Sequence, residues 1–254
     1  MSLPGRRIQA LVGQAPGSQR PRRGRVGSGS GVLCCRRHGR SRTVGIHTMS
    51  STHDLSSTPN HGGRPTRPSQ EERRTRHGHA GVVIWLTGLP GAGKTTLAHA
   101  MERTLFDRGF NVMTLDGDVL RGGLNSDLGF SAEARRESVR RAAEVSALLA
   151  ATGVAVIVAL ISPFEQDRRQ ARERVTAAGA GARFIEVFVD APPETCEKRD
   201  PKGLYARARR GEVKNMTGVT SAYEVPSAPD VHVRTDQRSV DECAAAVLAQ
   251  VLTA

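Results

Sequence analysis

The chain has 254 residues and a formal net charge of +12 at pH 7. That charge lies at one end, because residues 1–80 contain 15 Arg, no Lys and 3 acidic residues, whereas the 22 basic and 22 acidic residues after position 80 balance each other. This distribution excludes a folded domain with a basic nucleic-acid-binding body and leaves only a basic arm open. All nine aromatic residues lie after position 80, in a stretch long enough for one domain with a sizeable core.

Residues 1–79 are rich in Arg, Gly, Ser and Pro and have no aromatic side chain. Such a composition buries too little apolar surface to offset the entropy of ordering the backbone, so it predicts a disordered basic tail. Residues 1–53 have no acidic residue and 10 Arg, which is typical of an organellar targeting segment, although the glycines between Gly24 and Gly31 disfavour the amphipathic helix of such segments. The alternatives are a misassigned start, with Met49 as the true first residue, and an arm for a partner or a nucleic acid.

The cysteines and the apolar runs indicate a cytoplasmic protein. Four cysteines are too few and too poorly spaced for a disulfide scaffold or a zinc site: Cys34 and Cys35 are adjacent in the tail, and Cys196 and Cys243 stand alone. Unpaired thiols are typical of a reducing cytosol. No apolar run approaches the ~18 residues of a membrane span, so we expect no membrane partner.

From Gly81 onward, the apolar pattern alternates between strand-like and helix-like periods. Strands are predicted at residues 82–87, 111–115, 154–161, 183–189 and 232–234, and helices at 94–108, 131–151, 165–178, 192–198 and 239–252. This alternation predicts an α/β fold in residues 80–254, a doubly wound parallel sheet of about five strands flanked by helices. Right-handed crossovers place the carboxyl ends of all strands at one edge, where ligands bind.

A glycine-rich loop follows the first predicted strand and precedes the first predicted helix. It matches the phosphate-binding pattern G-x-x-x-x-G-K-[ST] without a mismatch. Its residues are Gly88, Leu89, Pro90, Gly91, Ala92, Gly93, Lys94 and Thr95, with Thr96 next in the helix. Backbone N–H groups would surround the phosphates, Lys94 would reach the β- and γ-phosphates, and the Thr95 hydroxyl would bind Mg²⁺. The sequence therefore predicts a site for ATP and Mg²⁺ in a kinase or another phosphate-loop nucleotide-binding protein.

Two carboxylates, Asp116 and Asp118, lie at the end of the second predicted strand. At that edge of the sheet they would face the phosphate loop, where a carboxylate can orient the water molecules of Mg²⁺ or accept a proton from an attacking hydroxyl. Asp-Gly-Asp is also typical of a tight turn, so these residues alone leave both interpretations open.

Several blocks of the sequence together resemble one family. They are LTGLPGAGKTT, LDGDVLRGGLNSDLGFS, ESVRRAAEV, ALISPF, EVFVDAPPETCEKRDPKGLY and EVKNMTGVTSAYEVP. In this order and spacing they resemble the adenylylsulfate (APS) kinases, phosphate-loop kinases that use ATP to phosphorylate the 3′-hydroxyl of adenosine 5′-phosphosulfate, giving PAPS and ADP. The resemblance covers residues 80–252. It implies a role in sulfate assimilation, a homodimer and a functional link to an ATP sulfurylase.

The resemblance also implies roles for individual residues. Arg199 would lie against the donor adenine, with Thr217 and Gly218 in the neighbouring loop. Phe130 would stack on the acceptor adenine, and Asp116, with Asp118 beside it, would be the base or the metal-orienting acid. The residues implied for the acceptor are Asp118, Arg121, Phe130, Arg135, Ser138, Ile161, Ser162, Lys202 and Leu204. Without the resemblance, Arg135 could equally belong to a solvated helix face and Phe130 to the core.

Three positions bear on the acceptor. Family members commonly have Asn where this chain has Ser138, and His is frequent where it has Gly122. Ser162 matches a serine that is reported as phosphorylatable and is grouped here with the catalytic candidates, although a serine that hydrogen-bonds at a strand end is an equal alternative. The departures at Ser138 and Gly122 lie on the acceptor side and bear on the identity of the acceptor rather than on phosphoryl transfer. Two rivals stay open: a kinase for another nucleotide or small hydroxyl compound, and a relative that binds ATP without transfer.

Overall fold

The computed structural model describes residues 67–178, 181–213 and 215–252, so the predictions for residues 1–66 lie outside the described residues. The strands are β1 Val82–Thr87, β2 Val112–Asp116, β3 Ala155–Ala159, β4 Arg183–Asp190 and β5 Val231–Arg234. The helices are α1 Gln70–His77, α2 Lys94–Asp107, α3 Gly117–Arg121, α4 Ala132–Ala151, α5 Glu165–Ala177, α6 Pro193–Arg199, α7 Leu204–Arg209 and α8 Val240–Leu252.

The five strands form one parallel sheet in the order β2-β3-β1-β4-β5. The predicted doubly wound α/β fold is thereby confirmed. β3 lies between β2 and β1, with Ala159 opposite Asp116 on one side and Leu86 on the other. The carboxyl ends of these three strands therefore meet at one point of the sheet edge, where the direction of winding reverses and ligands bind in such folds.

The core consists of two apolar layers, one on each face of the sheet. β1 is buried along its whole length and supplies both layers: Val82, Ile84 and Leu86 pack with α2 and α8, and Val83 and Trp85 pack with α4 and α5. A strand covered on both faces is apolar over most of its length, because neither face meets water, and the one polar residue of β1, Thr87, hydrogen-bonds to the Ile161 carbonyl. This requirement explains the unbroken apolar run that precedes the glycine-rich loop.

Three helices differ from the sequence predictions. α1 lies in the segment that composition assigned to a disordered tail, and α3 and α7 lie in stretches for which no helix or strand was predicted. α1 has no buried residue, but Ser69 closes a capping box at its start, and the Gln70 amide donates to the Ala151 carbonyl at 2.8 Å. The capping box and the contact with Ala151 favour helix α1, and an argument from composition takes neither into account. None of the described helices combines the length and apolar character needed to cross a membrane.

α4 begins where the sequence predicts, at the N-cap Ser131, whose hydroxyl accepts a hydrogen bond from the Ala134 amide at 3.2 Å. We expect Ser131→Ala to lower the free energy of unfolding by about 1 kcal/mol, because one amide of the first turn loses its acceptor. For a domain of this size, the melting temperature should fall by about 2–4 °C. Ser131→Asp is the matched control and should retain stability in the same thermal and urea unfolding measurements. Equal losses in both variants would contradict the capping role.

Candidate active site

A cleft of about 590 Å³ lies at the carboxyl edge of the sheet, over the ends of β1, β2 and β3. Most residues singled out from the sequence line it. They include Pro90, Gly91, Gly93, Lys94, Thr95, Thr96, Asp116, Asp118, Arg121, Phe130, Arg135, Ser138, Ile161, Ser162, Arg199, Lys202 and Leu204. The fold thus brings residues that are more than 100 positions apart into one cavity.

The glycines of the phosphate loop are required by close backbone approaches. A Cβ at Gly88 would lie 2.2 Å from the Val189 carbonyl oxygen, and a Cβ at Gly91 would lie 2.7 Å from the Cys196 carbonyl oxygen. Both glycines also have positive φ, at 154° and 79°, which L side chains rarely adopt. The loop can therefore pass close to the end of β4 and to α6 and turn directly into α2, whose N-terminus favours an anion.

Lys94 is buried at the start of α2, and its Nζ donates to the carbonyl oxygens of Gly88 and Leu89, each at 2.8 Å. Burial lowers the pKa of Lys94 from 10.5 to about 8, and the negative charge of Asp116 partly opposes that shift. A phosphate group in the loop would favour the charged ammonium and offset its desolvation. The surroundings of the Lys94 ammonium are therefore suited to binding a group with several negative charges.

The side-chain oxygens of Thr95 and Asp116 lie next to each other where the phosphate loop meets the end of β2, and both are of the kind that binds a metal ion. The Thr95 hydroxyl donates to Asp116 Oδ2 at 2.7 Å, and Asp116 Oδ1 accepts from the Asp118 amide at 2.9 Å. No group of three or more His, Cys, Asp or Glu side chains that could hold a metal ion occurs among the described residues. A hydroxyl and a carboxylate fit Mg²⁺, which keeps several water molecules and takes other oxygens from a nucleotide.

Lys202 and Asp118 form an ion pair across the mouth of the cleft. Lys202 lies in the short segment between α6 and α7, and Asp118 lies in the first turn of α3. Both side chains are more than half exposed, so solvent weakens the attraction. The pair brings a lysine from one wall of the cleft and a carboxylate from the other to the same place.

Arg121, Phe130 and Arg135 lie on the β2 side of the cleft. The Arg121 guanidinium lies over the Phe130 ring, 4.2 Å from its centroid, and Phe130 is 59% exposed. An aromatic ring this exposed is available to stack on a base, so Phe130 is not a core residue. Arg135 is buried; it donates to the Ser221 hydroxyl at 3.1 Å and to the Asn215 carbonyl, and thereby joins α4 to the loop before β5.

Ser138 is also buried against this wall, and its hydrogen-bond partner was not predicted from the sequence. Its hydroxyl oxygen accepts a hydrogen bond from Asn125 Nδ2 at 2.9 Å. Asn125 is 1% exposed, and its Oδ1 has no hydrogen-bond partner among the described residues. Ser138 and Asn125 therefore act as one polar unit behind the cleft. Asn125 lies in the block LDGDVLRGGLNSDLGFS, but no role was predicted for it, and only the fold shows its contact with Ser138.

Ser162 lines the cleft, but its hydroxyl is covered. It is 2% exposed and accepts a hydrogen bond from the Trp85 indole Nε1 at 3.0 Å. This geometry favours the alternative in which the serine hydrogen-bonds at the strand end over a catalytic or phosphorylated serine. Ile161, its neighbour, lines the same part of the cleft.

The opposite end of the cleft is built around Arg199 and Thr235. Arg199 donates to the carbonyl oxygen and the hydroxyl of Thr235, at 2.7 and 3.0 Å, and the Thr235 hydroxyl donates to Ala92 of the phosphate loop at 2.8 Å. Thr235 and Arg238 line the cleft but were missed in the sequence. A signal was available for Thr235, since it directly follows β5 at the edge of the sheet where ligands bind.

Thr217 and Gly218 do not line this cleft. Thr217 is 1% exposed, and its hydroxyl has no hydrogen-bond partner among the described residues. Gly218 lies against the outer side of the phosphate loop, where a Cβ would come within 2.8 Å of the Leu89 side chain. Neither residue lines the cleft in this structure, and their predicted role at the donor nucleotide stays a prediction.

Comparison with known proteins gives the family. The family model described as Adenylylsulphate kinase matches residues 80–234. An adenylyl-sulfate kinase of Yersinia pestis is 49% identical over 173 residues, 68% of this chain and 79% of that protein, and one of Saccharomyces cerevisiae is 49% identical over 174 residues, 68% of this chain and 85% of that protein. The structure of the Mycobacterium tuberculosis APS kinase CysC in complex with AMPPNP and APS is 47% identical, with a TM-score of 0.65 over 68% of this chain and 98% of that chain.

The residues matched by the family model contain the phosphate loop, the carboxylate pair and the cleft arginines Arg121, Arg135 and Arg199. The predicted kinase fold and the predicted family are both confirmed. The rival in which the loop binds a nucleotide without phosphoryl transfer has no support among these relatives. The chain belongs to the adenylylsulphate kinase family and is an ATP-dependent kinase.

Proposed function

We propose that this enzyme transfers the γ-phosphate of ATP to the 3′-hydroxyl of APS, forming PAPS and ADP, and that it requires Mg²⁺. One observation carries the proposal: a single cleft holds a phosphate loop at one end and an exposed aromatic ring with two arginines at the other. Two nucleotides with adjoining phosphates fit such a cavity. A homodimer, a link to an ATP sulfurylase and a cytoplasmic location remain predictions from the sequence.

On the donor side, Lys94 and the backbone N–H groups of the phosphate loop hold the β- and γ-phosphates. Thr95 and Asp116 would hold Mg²⁺, which would neutralise charge on the transferring group. Both oxygens of Asp116 already accept hydrogen bonds, from Thr95 and from the Asp118 amide, so this carboxylate is fixed in orientation. Arg199 and Thr235 lie where the donor base would leave the loop.

On the acceptor side, Phe130 stacks on the adenine, and Arg121 and Arg135 face the phosphosulfate oxygens, which suit guanidinium groups. Asp118 accepts the proton of the 3′-hydroxyl as the 3′-oxygen bonds to the γ-phosphorus and the bond to the ADP oxygen breaks. We assign this proton to Asp118 rather than Asp116, because Asp118 is exposed at the cleft mouth while Asp116 is buried and fixed. Lys202, paired with Asp118, stabilises the charge between the two substrates.

Incubation of the purified chain with ATP, Mg²⁺ and APS tests the reaction. We expect equal amounts of PAPS and ADP, and ADP release at least about tenfold slower without APS, since positioning of the acceptor accounts for much of the rate. Gluconate and adenosine 5′-monophosphate serve as alternative acceptors. Faster phosphorylation of either compound than of APS would refute the assignment of the acceptor.

The role of Asp118 gives a second prediction. Asp118→Asn should lower kcat by about a hundredfold, because general-base catalysis typically contributes at least that factor, with the KM for ATP nearly unchanged. Asp127→Asn is the matched control, since Asp127 is an exposed carboxylate paired with Arg141 outside the cleft. Steady-state kinetics of both variants decide the question. A normal kcat in Asp118→Asn would leave Asp116 as the remaining candidate for the base.

Ser138 tests whether the departure from the family pattern matters for the acceptor. In Ser138→Asn, the amide oxygen can accept from Asn125 while the amide nitrogen donates into the cleft. We expect the KM for APS to hold or to fall by up to about fivefold, the equivalent of one neutral hydrogen bond, with no change in the KM for ATP. Ser138→Ala should raise the KM for APS, because it leaves the buried Asn125 amide unpaired.

The contrary outcome is equally specific. Poor turnover of APS by the wild type, with an improvement of about tenfold or more in Ser138→Asn, would indicate a pocket adapted to a different acceptor. That factor corresponds to about 1.4 kcal/mol of transition-state stabilisation.

A further inference from the structure

The turn between β3 and α5, residues 160–163, lies between the two halves of the reaction. β3 is flanked by β1, which leads into the phosphate loop, and by β2, which ends at Asp116. All four residues of the turn line the cleft. A small displacement of this turn would therefore change the distance between an acceptor and the donor phosphate.

The backbone of the turn is strained at Ser162. Its φ is +43°, and outside glycine only Ser162 and Asn215 have positive φ in the part of the chain that the structure describes. A serine in this region persists only where its surroundings fix it in place, and such residues are concentrated at functional sites. The contacts that fix Ser162 are therefore informative about the site.

Two side chains of β1 donate hydrogen bonds to the turn. The Trp85 indole Nε1 donates to Ser162 Oγ at 3.0 Å, and the Thr87 hydroxyl donates to the Ile161 carbonyl at 2.7 Å. Trp85 and Thr87 are both fully buried. These bonds tie the turn to the strand that carries the phosphate loop.

α5 holds the turn with Arg168, which is 1% exposed. Its Nη1 donates to the Ser162 carbonyl at 2.8 Å, and its Nε donates to Glu186 Oε1 at 2.8 Å. Glu186 on β4 is the register partner of Trp85 on β1, so the two side chains lie on the same face of the sheet. The guanidinium therefore links the turn to β4, the strand next to β1.

A contribution to the stability of the fold does not by itself explain why an arginine is buried at position 168. Burying an ion pair costs desolvation that its attraction often fails to recover, and apolar residues of similar volume are frequently as stable. Here Arg168 Nη2 also lacks a hydrogen-bond partner among the described residues, so the burial is incompletely compensated. What the guanidinium does provide is a rigid fork that fixes one carbonyl relative to one carboxylate.

We propose that Arg168 is a positioning residue for the acceptor: it holds residues 161 and 162 in the strained conformation that forms the acceptor wall of the cleft. The inference rests on the proposed function, since it assigns the wall to the acceptor. Lysine cannot replace the arginine, because one ammonium cannot reproduce the two directed bonds from Nη1 and Nε.

Arg168→Lys in the full chain tests the proposal. The variant retains the charge opposite Glu186, so we expect it to fold. We expect the KM for APS to rise by about tenfold, as the loss of one charge-assisted hydrogen bond predicts, with a lower kcat and with the KM for ATP within about twofold. A merely structural role would lower the melting temperature and leave the ratio of the two KM values unchanged, and that result would overturn the proposal.

Arg172→Lys is the matched control. Arg172 lies one turn further along α5 and also approaches Glu186, at 3.7 Å, but its hydrogen bonds go to Phe184 and Asp230 and not to the turn. We expect both KM values of Arg172→Lys to remain within about twofold of the wild type. An equal rise in the KM for APS in the two variants would overturn the proposal.

Ser162→Ala disturbs the same turn by removing its hydrogen bond to β1. It tests whether the turn positions the acceptor if Arg168→Lys does not fold. It removes the acceptor of the Trp85 indole, and it should raise the KM for APS by about threefold or more without changing the KM for ATP. An unchanged KM for APS would overturn the proposal. Absence of PAPS formation by the wild type would instead refute the proposed function, so the two failures are distinguishable.

Discussion

The parallel direction of all five strands is the constraint on which the site depends. Because every strand ends at the same edge, the phosphate loop after β1, the carboxylates after β2 and the turn after β3 become neighbours although they are far apart in the chain. The strand order β2-β3-β1 places the turn after β3 between the carboxylates and the phosphate loop along this edge. Such an arrangement needs both faces of the sheet covered, and the two apolar layers on either side of β1 meet that requirement.

The polar side chains of the cleft are held by other parts of the protein. Lys94 donates to carbonyls of its own loop, Lys202 pairs with Asp118, and Arg135 joins α4 to the loop before β5. Cations with defined positions stabilise developing negative charge at little reorganisation cost, which is the property a phosphoryl-transfer site requires.

The choice between lysine and arginine follows the chemistry of each position. The chain has 33 Arg and only four Lys, and two of the four, Lys94 and Lys202, line the cleft. A compact ammonium fits inside a tight glycine loop, where a planar guanidinium would not. Arg168 is the converse case, because two directed bonds from one rigid group are needed to connect a carbonyl and a carboxylate.

The sequence by itself determined the strands, most of the helices, the phosphate loop and the carboxylate pair, since each depends on residues close together in the chain. It missed α1, whose cap is a local signal that composition conceals. Only the tertiary structure paired Asn125 with Ser138, Arg199 with Thr235 and Arg168 with Ser162. These contacts join different elements, and no periodicity or motif encodes them, because their geometry is set by how the helices pack on the sheet.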